Sequence, residues 1–285
     1  MRHYGWIPSR PDWRDVLYQY APPQTLALPP RVDLTEGWDS EPFDPVWQQG
    51  SLGSCGPQTA AADIVFAILR QQKGANSPMP SRLFIYWHTR YVMGTLNSDS
   101  GVTNRDLLKS LARYGWCDES AWPYDIAKYK VEPPLEAKNE ALKWRIDKYH
   151  AVPQDLTTLK ACLAGGDPFI LGFSVYSSIE SASVQRSGNI PRPSRGDRQV
   201  GGHDVLCVGY DDSTTSFKIR NSWGREWGKD GYGTLPYSYV TDRNLAGDFW
   251  TITHGGYAPP APEPSPVENV IVVKPGQVLV VKGVA

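Results

Sequence analysis

The sequence predicts an α+β protein in which helices come first and strands follow. Apolar residues recur at helical spacing within the segment CGPQTAAADIVFAILRQQ, namely at Ala61, Ile64, Val65, Ile68 and Leu69. From about residue 149 the pattern changes to short β-branched and aromatic runs bounded by Gly, Asp and Ser: PFILGFSVY, HDVLCVGYDD and SFKIRNSW. One helical segment, LTTLKACLAGG, precedes these runs.

Composition along the chain divides it into four regions. Residues 1–27 are rich in Pro, Tyr and Trp, show no sustained period and run into YAPPQTLALPP, so we expect a short leader and a linker. Residues 28–147 form the predicted helical domain and residues 148–254 the predicted β domain. Residues 255–285 read as a Pro-rich linker and a tail, in which VIVVKPGQVLVVKG predicts a small hairpin around Pro275 and Gly276.

Bulk composition excludes several function classes. With 40% hydrophobic and 21% charged residues the chain is typical of a globular protein. Its 29 basic and 30 acidic residues form no basic stripe, which argues against a nucleic-acid partner. No window approaches a membrane span, and MRHYGWIPSRPDW lacks the apolar core of a secretory signal. We therefore expect a cytoplasmic protein, or export by a route without such a signal.

Three distant stretches together supply the groups that thiol acyl-transfer chemistry needs. QGSLGSC contains Gln49 and Cys55, GGHDVLCVGY contains His203, and NSW contains Asn221. A thiol needs a base to take its proton, the base needs a group that orients its ring, and the developing oxyanion needs a hydrogen-bond donor. Pro57 suits a first helical turn, which puts Cys55 at a helix N-terminus, where a thiolate is stabilised.

Each of these residues also has a structural interpretation. A cysteine before a buried helix is usually a small core residue, a histidine between glycine and an apolar strand is usually a satisfied core group, and asparagine after a strand is usually a turn residue. The combination at these spacings favours the catalytic interpretation. Gln49 precedes Cys55 by six residues, His203 follows Cys55 by 148, and Asn221 follows His203 by 18.

On these motifs the chain resembles the papain-like cysteine peptidases, in particular bacterial members that lack a long folded pro-domain. The resemblance runs from about residue 28 to about residue 252, and RNSWGREWGKDGYG is a long match to the family's Asn and Trp block. Two positions depart from the family pattern. Leu52 stands where secreted members place a disulfide cysteine, and Gly56 stands where they place an aromatic residue after the nucleophile.

The resemblance implies a two-lobed papain-like fold, with a helical left domain and a β-barrel right domain on either side of the active-site cleft. It also implies a cysteine endopeptidase that hydrolyses peptide bonds of a peptide or protein substrate through a Cys-His-Asn triad and a thioester acyl-enzyme. It implies no cofactor and no metal ion.

The same resemblance assigns roles to individual residues. Cys55 is the expected nucleophile, His203 the base and Asn221 the group that orients the imidazole. Gln49 and the backbone N–H of Cys55 are the expected oxyanion hole. Trp223 is expected to cover the His–Asn contact, although plain core packing explains it equally.

Two glycines are the predicted substrate-binding positions, Gly101 and Gly202. The resemblance implies that the backbone at Gly101 pairs with an extended substrate, in the manner of an added strand. A helix cap at Ser100 explains the same residues.

The other cysteines are expected to be buried free thiols, since with Cys55 reserved for chemistry an odd three remain: Cys117, Cys162 and Cys207. A metal site formed by His203 and Cys207 is disfavoured, because four residues of strand separate them by about 13 Å.

Two other functional classes stay open. A thiol amidase or acyltransferase would use the same nucleophile with a different acyl acceptor. A non-catalytic, peptide-binding relative ranks last, because it would require the loss of a triad member.

The leader is expected to pack on the body of the protein. It carries an apolar load that a flexible tail would not leave in water: Tyr4, Trp6, Ile7, Trp13, Tyr18 and Tyr20. If it folds back across the cleft, it competes with substrate and acts as a built-in brake. The alternative is that it covers an apolar patch elsewhere and only stabilises the fold.

Overall fold

The structure, a computed structural model, describes residues 3–19, 27–36, 46–71, 79–252, 257–258, 269–274 and 277–281, with backbone alone for 68–71 and beyond 252. The α+β class is confirmed. The helices are α1 (Cys55–Gln71), α2 (Arg82–Met93), α3 (Asn104–Tyr114), α4 (Leu135–Ala141), α5 (Leu156–Ala164), α6 (Ala182–Ser187) and α7 (Tyr237–Val240), with 3₁₀ turns at Ile126–Lys128 and Ser177–Glu180.

Strands form most of the second half of the chain. They are β1 (Arg31–Asp33), β2 (Arg145–Ile146), β3 (Tyr149–Ala151), β4 (Phe169–Tyr176), β5 (Gln199–Asp211), β6 (Ser216–Arg220), β7 (Tyr232–Pro236), β8 (Ala246–Ile252), β9 (Tyr257–Ala258), β10 (Asn269–Lys274) and β11 (Gln277–Val281). The predicted strand segments are therefore observed as β4, β5 and β6.

The principal sheet has seven antiparallel strands around the long strand β5. Its order is β3-β8-β4-β5-β6-β7, and β1 pairs with the C-terminal end of β5. Strand β1 thus joins the sheet although it lies in the region predicted to be helical, because Val32 pairs with Tyr210. Among the described strands, β3 and β7 lie at opposite ends of the order, so closure into a barrel stays a prediction.

Helix α1 runs through the interior of the molecule. Every residue from 55 to 67 is buried, including Asp63, so this helix has no solvent-facing side over its first three turns. Small residues such as Ala60 and Ala61 pack against Leu206 of β5 and Trp250 of β8 in one apolar cluster. The helix therefore lies directly on one face of the sheet, with its N-terminus held at a fixed place beside β5.

The opposite face of the sheet carries the second and larger apolar core. Phe169, Phe173, Phe217 and Tyr239 are all fully buried there, and α5 packs on the same side through Leu159 and Leu163. Truncating one buried aromatic in such a core costs about 3–5 kcal/mol of stability. A sheet covered on both faces gives β5 little freedom to move, which matters because β5 carries His203.

The other predictions about the fold concern the C-terminal hairpin, the cysteines and membrane-spanning helices. Strands β10 and β11 pair antiparallel as the hairpin prediction requires, while its turn at Pro275 and Gly276 lies outside the described residues, as does most of the Pro-rich linker. All four cysteines are buried and unbridged. Among the described helices, none is long and apolar enough to cross a membrane.

Candidate active site

Cys55 is the first residue of α1 and is completely buried. The helix begins there because the Gln58 N–H bonds the Ser54 carbonyl, which starts the helical ladder. The unsatisfied N–H groups at a helix N-terminus favour negative charge, so a sulfur anion at Cys55 would be stabilised by its position.

His203 and Asn221 form a direct hydrogen bond. The Nε2 atom of the imidazole lies 2.8 Å from Oδ1 of Asn221, an oxygen that also accepts the N–H of Ser222 at 2.8 Å. Because amide oxygen accepts, Nε2 carries a hydrogen in this contact. Trp223 stacks on the imidazole with ring centroids 4.5 Å apart and an interplanar angle of 24°, so it covers one face of that ring.

The loop of Gln49 is bonded to the loop of Asn221. The Gln49 N–H donates to the Ser222 carbonyl at 2.9 Å, and the Ser222 hydroxyl donates to Gln49 Oε1 at 2.7 Å. The Gln49 amide nitrogen donates to the Leu52 carbonyl at 3.0 Å. These bonds fix the amide plane, so its NH₂ group faces the N-terminal side of Cys55.

Strand β5 lies beside the N-terminus of α1, where Cys55 begins the helix. Asp204, next to His203, lies with Oδ2 at 3.8 Å from the sulfur of Cys55. Successive residues of a strand point to opposite faces, so β5 directs His203 to one side and Asp204 toward α1. Strand β5 therefore carries His203 next to the residue that touches Cys55, and Gln49 is bonded to the loop of Asn221.

The leader occupies this place. The carbonyl oxygen of His3 accepts a hydrogen bond of 3.0 Å from the Gln49 amide. The ring of Tyr4 meets the edges of His203 and Trp223, with centroids 6.3 Å away in both cases. Its hydroxyl donates to Glu180 at 2.7 Å.

Both predicted substrate-binding glycines contact the leader. The Gly202 carbonyl accepts the Trp6 N–H at 2.9 Å. Gly101 has φ of +73°, and a Cβ there would lie 2.1 Å from the carbonyl oxygen of Gly5, so no side chain fits.

Val102, rather than Gly101, makes the backbone pairing. Its N–H donates to the Gly5 carbonyl at 2.7 Å, and its carbonyl accepts the Ile7 N–H at 2.9 Å. The alternative interpretation of this region, a helix cap at Ser100, is wrong, because Thr103 caps α3 through the Asp106 N–H. The side of the cleft formed by Val102 therefore binds extended backbone.

The indole of Trp6 fills a slot between strands β4 and β5. A Cβ at Gly172 would lie 2.0 Å from the indole ring, and one at Gly202 would lie 2.8 Å from it. The indole N–H donates to Asp248 Oδ2 at 3.3 Å, and the same oxygen accepts the Ser9 hydroxyl at 2.8 Å. The slot exists because two neighbouring strands carry glycine where they face the leader.

The second half of the leader contacts the body of the protein at some residues and not at others. The Tyr18 N–H donates to the Ala151 carbonyl at 2.8 Å, and Asp15 pairs with Arg105. Trp13 is 93% exposed, so the expectation that it packs on the body is wrong. Tyr20 lies outside the described residues.

Burial raises the pKa of the Cys55 thiol, and an ionised Asp204 would raise it further. Backbone N–H groups of Asp204, Gly5 and Gly56 act in the opposite direction but do not cancel it. The expected ionised thiol is therefore not the form favoured while the leader covers the site. The physical reason is that desolvation of the sulfur raises the pKa by more than the backbone N–H groups near the helix N-terminus lower it.

A cavity of about 620 Å³ lies away from these residues, lined in part by Asp33, Tyr210 and Lys218. Among the described residues, no three His, Cys, Asp or Glu side chains gather as a metal site.

Comparison with known proteins agrees with this geometry. The sequence pattern of the papain family cysteine proteases matches residues 28–245. The crystal structure of xylellain, a cysteine protease from Xylella fastidiosa, superposes with a TM-score of 0.80 and 41% identity, covering 88% of this chain and 96% of that one. Procathepsin B from Trypanosoma congolense has the same fold at 17% identity, with a TM-score of 0.67 over 90% of this chain and 85% of that one.

Among curated sequences, an uncharacterized peptidase C1-like protein of Acanthamoeba polyphaga mimivirus is 36% identical over 270 residues, which is 88% of this chain and 86% of the relative. Rat procathepsin L is 26% identical over 74% of this chain and 61% of its own length. The chain belongs to the papain family of cysteine peptidases, which hydrolyse peptide bonds. The resemblance seen in the sequence is thereby confirmed.

Proposed function

We propose that the protein is a cysteine endopeptidase in which Cys55, His203 and Asn221 form the catalytic triad. The contact that carries this proposal is the 2.8 Å bond between His203 Nε2 and Asn221 Oδ1, on a strand whose next residue touches the Cys55 sulfur. An imidazole fixed through one nitrogen presents the other, Nδ1, for proton exchange with the thiol.

In the proposed reaction, Cys55 transfers its proton to Nδ1 of His203 and the sulfur attacks the carbonyl carbon of the substrate. His203 then returns the proton to the leaving amine as the C–N bond breaks. Water, deprotonated by His203, hydrolyses the thioester and regenerates the thiol. Asn221 keeps the imidazole in plane throughout, and Trp223 keeps water from the His–Asn bond.

Gln49 and the Cys55 N–H bind the oxyanion of the tetrahedral intermediate in this proposal. The support is that the Gln49 amide already donates to a peptide carbonyl, that of His3, at 3.0 Å. A preorganised donor of this kind contributes roughly 10²–10³-fold to the rate of acyl transfer.

We also propose that the leader is an autoinhibitory segment. Residues 3–7 bond to Gln49, Val102 and Gly202, which are the groups that the proposed substrate would use. Removing residues 1–27 should raise kcat/KM on a small peptide reporter. Unchanged kinetics with a lower melting temperature would leave the leader only a structural role.

The peptidase assignment is tested with Cys55→Ala, which should abolish thiol-dependent peptide hydrolysis in a folded protein. Cys117→Ala is the matched control, since Cys117 is also buried but lies in a separate apolar cluster. Mass analysis of the products separates the classes. A free carboxylic acid product supports hydrolysis, a transferred acyl group supports an acyltransferase, and full turnover by Cys55→Ala contradicts the nucleophile assignment.

A further inference from the structure

Asp204 is a fully buried carboxyl group beside the sulfur of Cys55. Its Oδ2 lies 3.8 Å from Sγ, and its Oδ1 accepts a hydrogen bond of 2.9 Å from the side-chain amide of Asn104. Asn104 is itself fully buried at the start of α3 and also donates to the Asp248 carbonyl at 3.0 Å. The carboxyl is therefore held in one orientation, with one oxygen committed to Asn104 and the other toward the sulfur.

Gly56 makes room for this carboxyl. A Cβ at position 56 would lie 3.1 Å from Asp204 Oδ2 and 2.7 Å from Val102 Cγ2. Any larger side chain after Cys55, such as the aromatic that the family pattern predicts, would occupy the space between the sulfur and Asp204. The absence of a side chain at Gly56 therefore leaves the space that the carboxyl group of Asp204 needs beside the sulfur.

The surroundings of Asp204 favour its neutral form. The groups that face it are Cys55 of α1, Asn104 of α3 and Asp248 of β8, while His203 is its neighbour on β5. Burial raises the pKa of Asp204 well above its ordinary value, against the lowering by the hydrogen bonds of Asn104 and Cys55, and the charge of Asp248 adds to the rise. Since Asn104 donates to Oδ1, a proton on the neutral carboxyl would sit on Oδ2, which faces Cys55.

We propose that Asp204 is a second hydrogen-bond partner of the nucleophile, with its Oδ2 hydroxyl donating to the sulfur of Cys55. The inference rests on the proposed role of Cys55. When His203 takes the thiol proton, the sulfur becomes the acceptor of the Asp204 O–H, a charge-assisted bond that stabilises the thiolate. The O–H bond of Asp204 does not break in this step, and the bond to sulfur weakens once the thioester forms.

Two acids that share one site lose their protons in two coupled steps. The first loss leaves one proton between sulfur and Oδ2, so only part of Cys55 is thiolate. The second loss, at higher pH, leaves both groups charged and all of Cys55 reactive. Ionisation of Asp204 should therefore add a step at higher pH to the alkylation profile of Cys55, beyond the steps that the Cys55–His203 pair gives.

The test measures iodoacetamide labelling of Cys55 against pH, peptide by peptide, in the full chain and in two variants. Asp204→Asn keeps the shape, the contact to Asn104 and a donor toward sulfur, but cannot ionise, so its profile should show one step fewer than that of the unchanged protein. Asp204→Ala removes the donor, and its first step should lie about one pH unit or more above that of Asp204→Asn, which is roughly tenfold slower labelling at low pH. His203 is present in all three proteins and affects their profiles alike.

The buried thiols of Cys117, Cys162 and Cys207 serve as internal reporters of unfolding. If these three cysteines are labelled in Asp204→Ala, that variant is partly unfolded. The proposal is then tested by the comparison between Asp204→Asn and the unchanged protein. Coincident profiles for those two proteins overturn the proposal and leave Asp204 a space-filling group. Labelling does not require turnover, so a step that Asp204→Asn lacks, seen without peptidase activity, would separate failure of the proposed function from failure of this inference.

Discussion

The side-chain amide of Gln49 donates a 3.0 Å hydrogen bond to the main-chain carbonyl of His3. The same amide is oriented through Oε1 by the Ser222 hydroxyl, next to the asparagine that holds His203. One side chain therefore joins the leader, the loop before α1 and the loop after β6. The proposed inhibition by the leader therefore uses the same Gln49 amide that the proposed chemistry needs.

Trp6→Ala should raise the activity of the full chain. The Trp6 indole is packed between glycines and bonded to Asp248, and loss of this packing weakens leader docking by roughly 2 kcal/mol, or about 30-fold. Because a docked leader competes with substrate, the change should appear in KM for a small peptide reporter. Trp13→Ala is the control, since Trp13 is 93% exposed on the same segment. Equal kinetics for the two variants would contradict occlusion by Trp6.

Asn221→Ala should lower kcat by roughly 100-fold, less than the near-complete loss expected for Cys55→Ala, Cys55→Ser or His203→Ala. Asn221 orients the imidazole through Oδ1 but transfers no proton. Steady-state kinetics with a peptide reporter measure the effect, and Asn97→Ala on an exposed loop is the control. A loss as complete as that of His203→Ala would argue that Asn221 does more than orient.

Cys55 alkylation should move to lower pH when the leader is displaced. In the closed arrangement burial raises the pKa of Cys55, so the thiol stays protonated and labels slowly. In Trp6→Ala, water should reach Cys55, and an ion pair with His203 should keep its sulfur as a thiolate at pH values below the ordinary cysteine pKa of about 8.5. Burial raises the pKa of Cys117 to about 12, so Cys117 should stay slow in both proteins. An unchanged Cys55 profile in Trp6→Ala would count against the ion pair.

Ser222→Ala should reduce kcat with little change in KM. The Ser222 hydroxyl is the donor that fixes Gln49 Oε1, and without it the amide can turn away from the oxyanion. Leaving that buried oxygen unsatisfied also costs about 1–3 kcal/mol of stability. Thermal unfolding and steady-state kinetics measured on the same preparation check both effects. Reduced stability with an unchanged kcat would show that Gln49 keeps its orientation without Ser222.

His88 should make the fold sensitive to mild acid. Burial lowers its pKa to about 4 from an ordinary value near 6.5, and its ring stacks on Phe84 at 4.1 Å. Between these pH values the unfolded chain binds the proton more readily than the native protein, so stability falls as pH drops from 6.5 to 4, by about 2–4 kcal/mol. Denaturant unfolding of His88→Phe beside the unchanged protein isolates this contribution. Parallel pH dependences for the two proteins would contradict it.

Most of the fold was predictable because its local signals agree with its tertiary environment. Helix α1 begins at Cys55 as its spacing and Pro57 predict, and β4, β5 and β6 coincide with the β-branched runs. The short strand β1 was not predicted, since three residues carry little periodicity and its place depends on pairing with β5.

The residues of the candidate site were predicted from the sequence, but the residues that surround them were not. Gln49, Cys55, His203 and Asn221 were identified from spacing and resemblance; the structure bonds His203 to Asn221 and Gln49 to Ser222, and the catalytic roles stay proposals. Asp204 was missed, although an acid entering an apolar strand directly after His203 was a visible signal. Trp13 was expected to pack and does not, because composition reports how much apolar surface a segment has but not which side it turns to the protein.

The sequence by itself determined the class of fold, the family and the candidate site residues, because these depend on residue type and order. Tertiary structure alone decided that the His3 carbonyl lies on Gln49, that Trp6 enters the slot at Gly172 and that Asp204 reaches the sulfur of Cys55. Each of these contacts joins residues 46 to 166 positions apart. Such contacts depend on how α1 packs against β5 and where glycines leave space, and no local pattern of residues encodes those distances.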